Sequence, residues 1–324
     1  MTPEIILKTV VYPAGAGAGL FIAGLALARL TRASGTKAPP ETTPSPSGAQ
    51  AVASQQAEQG GHDAFPRWLA PILVAAVVVV GARFILSKWP TFPIRVGEDW
   101  VMLFAVASGV LAAATTFLPQ RLRVAAQVSL VVLGGLALLP APLANAWKSL
   151  MGEGSARLLE AMVILASVIV PAVLVNRTER RAPPMVASAG VLAATSLGAG
   201  AMLMSGSAKL SQLEGLLGIA AGWLLLGAVL FRRWPAASAA SVPLMVSHAL
   251  LWTTTYYYAS ANVYASVLGL LAPGAAAAAL LPGVSRLNPW IRAGLAALAA
   301  GGVAAASLVI ALATREASPY ASLG

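Results

Sequence analysis

The sequence predicts an all-α, polytopic transmembrane helical bundle of about ten spans, and three observations carry that prediction. Of the 324 residues, 58% are hydrophobic and only 10% are charged, and the mean hydropathy of +0.78 lies beyond the range of water-soluble domains. Ten stretches approach the roughly 20 apolar residues that cross about 30 Å of hydrocarbon as a helix. The basic residues gather between those stretches in an alternating pattern. No soluble fold accounts for all three.

The first span is expected at residues 9–30, after a nearly uncharged leader and before Arg29 and Arg32. Positive charge that follows the apolar run marks a reverse anchor rather than a cleaved signal peptide. Residues 31–66 are rich in Pro, Ser, Thr, Gln, Ala and Gly. They carry too little apolar surface to offset the entropy of ordering. A disordered linker is expected there, and His62-Asp63 within it is read as solvated. The bundle proper, 67–324, then holds about nine further helices.

Those helices are expected at 68–85, 100–118, 124–147, 158–175, 185–205, 210–231, 240–258, 264–281 and 290–314. The penultimate one is interrupted by Pro273-Gly274 and closed by Pro282-Gly283, so nine spans is the alternative count. Six of the eight tryptophans, Trp68, Trp89, Trp100, Trp147, Trp234 and Trp290, fall at expected span ends, where an amphipathic ring anchors the interface.

Orientation follows from the charges. The odd-numbered connections hold 13 of the 21 basic residues, among them Arg121, Arg123, Arg177, Arg180, Arg181, Arg232 and Arg233. Short loops rich in Arg and Lys stay cytoplasmic. Both termini are therefore expected outside a plasma-type inner membrane, with the linker in the cytoplasm. The net charge of +10 is scattered over span ends, which argues for lipid headgroups and against nucleic acid. The chain has no cysteine, which removes disulfides and thiolate sites. No cofactor or metal is expected, since zincin, phosphate-loop, nucleophile-elbow and dinucleotide patterns are all missing. The sequon Asn176-Arg177-Thr178 falls on the expected cytoplasmic side. Glu98, Asp99 and Glu153 fall in expected outward loops and are read as solvated.

Two ionisable groups remain inside expected hydrocarbon, where such groups are costly. Glu214 shares a helical face with Gly218 and Gly222, and small residues on that face let backbones approach. His248 lies near the middle of the next span. Ser241, His248, Thr255 and Asn262 recur every seven residues, with Trp252 and Tyr256 on the same side, so one stripe of this helix must face protein or water. Counting rise from the span ends puts Glu214 about 6 Å deep and His248 about 15 Å deep. No direct pair is expected from that difference. Thr255 is instead the expected neighbour of Glu214, with Thr195 or Ser196 beside His248.

Three functions fit these residues. A small-molecule permease suits ten helices that allow a five-plus-five duplication. A non-catalytic scaffold would hold protein partners through outward loops 86–100 and 148–158. An intramembrane transferase or hydrolase would use Glu214 or His248 as acid or base, with no nucleophile set beside them.

Overall fold

The computed structural model describes residues 68–90, 99–138, 155–230, 237–259 and 261–316. Expectations for residues 1–66, and for most of the loops 86–100 and 148–158, lie outside the described residues. Among those described, every regular element is helical. The elements are α1 (Leu69–Leu86), α2 (Asp99–Thr115), α3 (Gln120–Leu138), α4 (Ser155–Arg181), α5 (Pro184–Met204), α6 (Ala208–Leu230), α7 (Ala237–Tyr258), α8 (Val263–Leu271) and α9 (Pro289–Glu316). A 3₁₀ segment, Ala272–Leu280, continues α8, and a short one at Val284–Arg286 leads into α9.

Local chemistry sets the ends. α4 stops before Pro183, because the residue preceding a proline is pushed out of helical geometry. Pro184 then opens α5 where a missing N–H costs nothing. Between α5 and α6 the chain turns through Gly206 at φ +95°, a conformation that disfavours any Cβ. Ser207 Oγ accepts from the Leu210 amide at 3.3 Å to start α6. Asn262 and Asn288 accept from Tyr264 N and Trp290 N at 2.9 Å each, capping α8 and α9.

The ten-span expectation is corrected. Six described helices are long and apolar enough to cross a membrane: Leu69–Leu86, Met162–Arg181, Pro184–Met204, Ala208–Leu230, Val263–Leu280 and Pro289–Thr314. The first expected span is not described. α2 is apolar but only 17 residues long, about 26 Å at the helical rise. α3 begins with Gln120, Arg121 and Arg123 and carries Gln127.

α7 fails for a different reason. It is too rich in Ser, Thr and Tyr to face lipid, and it does not face lipid. From Ala239 to Thr255 every residue is buried, and the helix packs against α1 to α6 and α8. It is the central post of the bundle. Apolar side chains turn outward on the surrounding helices instead, including Leu103, Val106 and Val110 on α2, Val170 and Val173 on α4, and Leu298 and Val309 on α9. A belt of this kind contacts the lipid bilayer.

The interrupted span is present as one unit. Nine α-helical residues and nine 3₁₀ residues reach about 31 Å, against about 27 Å for an unbroken α-helix of the same length. Its break is seated on α4: a Cβ on Gly274 would stand 2.8 Å from Pro171 Cα. Close approach elsewhere also rests on isolated glycines. A Cβ on Gly81 would meet Leu216, one on Gly109 would meet Ala75, and one on Gly190 would meet Ala276, each within 2.4 Å. Gly200, Gly215 and Gly222 make ordinary contacts only, at 3.6–3.9 Å.

Candidate functional site

The site starts from a proline. In a regular α-helix the carbonyl of Gly269 would accept from the amide of residue 273, but Pro273 has no N–H. The carbonyl instead takes a tighter bond from Ala272 N, which it shares with Leu268 O, and keeps a lone pair for another donor. That donor is His248 Nε2, at 3.1 Å. The other ring nitrogen, Nδ1, lies 2.6 Å from Glu214 Oε1. Glu214 is 0% and His248 2% exposed, so α6, α7 and the end of α8 meet at a sealed pair.

Hydrogen-bond chemistry assigns the protons. A carbonyl oxygen only accepts, so Nε2 carries a proton and donates it to Gly269 O. One proton then remains between Nδ1 and Oε1. It belongs either to an imidazolium facing a carboxylate or to a carboxylic acid facing a neutral imidazole. Both arrangements are neutral overall, which suits a medium where an uncompensated charge is costly.

Trp252 walls the pair, and backbone holds Trp252. It lies one turn beyond His248 on α7, fully buried, with the two rings edge to face at 6.4 Å. A Cβ on Gly269 would stand 2.2 Å from its Cζ2. A Cβ on Gly198, in α5, would stand 3.4 Å from the same carbon and 3.3 Å from Glu214 Oε1. Two glycines from two helices thus let the indole and the carboxyl into the same small volume. Glu214 Oε2 and Trp252 Nε1 are buried and without a hydrogen-bond partner.

The expectation that Glu214 and His248 do not meet is overturned. Glu214 stands six residues after the start of α6, and His248 ten residues before the end of α7. The four-residue offset is about 6 Å, and ordinary helix tilt with side-chain reach covers it. Two of the hydroxyls expected beside them bond within their own helices instead. Thr255 Oγ1 donates to Leu251 O at 2.7 Å, within its own helix. Thr195 Oγ1 donates to Val191 O at 2.8 Å, and the hydroxyls of Thr195 and Ser196 both lie 3.2 Å from where a Cβ on Gly218 would stand. The four-member stripe is shorter than expected. Asn262 lies past the end of α7 and caps α8. Ser241 holds the stripe's other end, donating to Glu179 Oε2 at 2.8 Å.

Glu179 belongs to a group of polar residues that hydropathy hides. The fifth expected span ended at residue 175, whereas α4 runs on to Arg181. This extension carries Asn176, whose Nδ2 donates to Gln127 Oε1 at 3.0 Å, and Gln127 Nε2 donates to Thr115 Oγ1 at 3.3 Å. Three helices are tied by buried amides and a hydroxyl. Asp99, read as solvated, is buried in the first turn of α2, where the helix dipole favours it. Its Oδ2 lies 3.3 Å from Lys88 Nζ.

No protein-family model matches this chain, and neither a curated protein nor a solved structure matches it.

Proposed function

We propose that the protein is a membrane carrier of the permease kind that exchanges a proton at the Glu214–His248 pair as it moves a small molecule. One observation carries this reading: a carboxyl oxygen and an imidazole nitrogen stand 2.6 Å apart, wholly buried in a helical membrane bundle, beside a span whose helix is broken. Ionisable residues inside a membrane mark proton and substrate paths. Interrupted helices that free backbone carbonyls recur at the binding sites of secondary transporters. A carboxyl and an imidazole together can take up and release a proton without a metal or cofactor.

The orientation read from the charges belongs to the same proposal: a plasma-type membrane, termini outside, the Arg-rich connections in the cytoplasm. A second reading is favoured by the complete burial of the pair. A sealed pair also suits a static scaffold that holds protein partners through its outward loops.

Purified protein in liposomes loaded with a pH-sensitive dye separates the two. A screen of small metabolites should find solutes that drive proton flux, and Glu214→Gln should abolish that flux while leaving the protein inserted and as heat-stable as before. Glutamine keeps size and hydrogen bonding and removes the exchangeable acid. Flux that Glu214→Gln leaves intact would remove the pair from the carrier, and if no solute moves protons while Glu214→Leu stabilises the bundle, the scaffold reading replaces the carrier.

A further inference from the structure

Two buried polar atoms beside the pair have no partner, and they are of complementary kinds. Trp252 Nε1–H only donates. Glu214 Oε2 accepts, because the carboxyl's shared proton lies on the Oε1 side, toward His248. Both side chains stand beside Gly198: a Cβ there would lie 3.6 Å from Trp252 Nε1 and 3.3 Å from Glu214 Oε1, the oxygen that faces His248, with Oε2 on the same carboxyl. Buried groups of this kind are normally satisfied, and leaving them unmet is costly. A third unpartnered group, Ser266 Oγ, is on the turn of α8 before Gly269 and is 1% exposed.

We infer that Glu214 Oε2 and Trp252 Nε1 form a subsite for one hydroxyl group, lodged against Gly198. The chemistry selects the ligand. The incoming atom must accept from the indole and donate to the carboxyl. A carbonyl or carboxylate accepts without donating, and an ammonium donates without accepting. A hydroxyl oxygen does both, and it belongs either to a water molecule or to an alcohol-bearing substrate. Assigning it to a transported solute rests on the carrier reading above; the subsite itself does not.

The test uses the full chain in detergent micelles with ¹⁵N-labelled indole. The Trp252 Nε1–H resonance is assigned by its loss in Trp252→Phe. In the unsubstituted protein it should sit at the shift of a hydrogen-bonded indole and show cross-relaxation to hydroxyl protons. Water protons at that cross-peak identify water as the occupant. Replacement by ligand protons on adding glycerol identifies an alcohol. Gly198→Ala puts a methyl group into the same volume against side chains only, so it should abolish the cross-peak and move the resonance toward the unbonded position.

A resonance that is unbonded in the unsubstituted protein, with no cross-peak to water or glycerol, overturns the subsite without any variant. So does a cross-peak that Gly198→Ala leaves unchanged in folded protein. Solute-driven proton flux that persists in either case leaves the carrier reading standing and removes the hydroxyl subsite alone.

Discussion

Gly269 does two things at one residue. Its carbonyl, short of a helical donor because residue 273 is proline, fixes the His248 ring, and its missing side chain admits the Trp252 indole. A methyl group there would stand 2.2 to 2.4 Å from three ring carbons, well inside contact distance. Gly269→Ala should therefore destabilise the bundle by about 1–3 kcal/mol, as overpacking of a dense interior does. Loss of heat stability in detergent checks this. The double variant Gly269→Ala with Trp252→Leu should recover part of that loss, because the smaller side chain withdraws the clashing ring. Equal loss in both would mean that the backbone, not the indole, rejects the methyl. Asp99 teaches the opposite lesson at the same scale. It looks solvated in sequence because it stands beside Glu98 in a loop, and it is buried because α2 starts on it and Lys88 reaches it.

The broken span is the element on which the site depends. Pro273 fixes where the α-helix gives way to 3₁₀ geometry, and Gly274 lets that break sit on Pro171 of α4. Pro273→Ala restores an amide at the one position able to reclaim the Gly269 carbonyl. The segment should then continue as α-helix and shorten by about 4–5 Å. The bond to His248 Nε2 should weaken as its acceptor is taken. ¹⁵N spectra of the His248 ring report the change directly: an altered Nε2 signal is expected, with Nδ1 still facing Glu214. An unchanged Nε2 signal would show that the carbonyl is held in place by packing rather than by the missing amide. α4 shows how an element outruns its hydropathy. Its last six residues, Asn176 to Arg181, are polar yet helical, and Asn176 and Glu179 there bond to Gln127 and Ser241 on two other helices.

At the scale of the whole molecule, α7 organises the bundle. A helix too polar for lipid is surrounded by helices that are not, and the outer ones present their apolar faces outward. The proposed orientation requires α2, α3 and α7 to cross as well as the six long apolar helices, and it is testable with single cysteines, since the chain has none of its own. Ones placed at Ser47, Ala237 and Ser285 should be shielded from an impermeant thiol reagent in intact cells, and ones at Thr91, Gly154 and Ser322 should react. The reverse pattern would overturn the charge-bias argument. A pattern that splits at residues 263–280 would show that the broken span enters and leaves on one side.

The sequence by itself determined the class and most of the helices, and singled out the two ionisable residues of the candidate site, because apolar run length and the rarity of intramembrane charge are properties of composition and order. It also marked one stripe of α7 as unfit for lipid, through the seven-residue recurrence of Ser241, His248 and Thr255. Tertiary structure alone decided that Glu214 and His248 meet, since helix offset and tilt are set by packing and not by counting from span ends. It also decided which glycines are crowded. Of the clustered ones, Gly200, Gly215 and Gly222 make ordinary contacts and Gly198 and Gly218 are held at 3.2–3.3 Å, whereas Gly81, Gly190 and Gly269, each alone in an apolar run, stand where another helix presses closest. Crowding depends on what a neighbouring helix brings to the position, and no single helix carries that information.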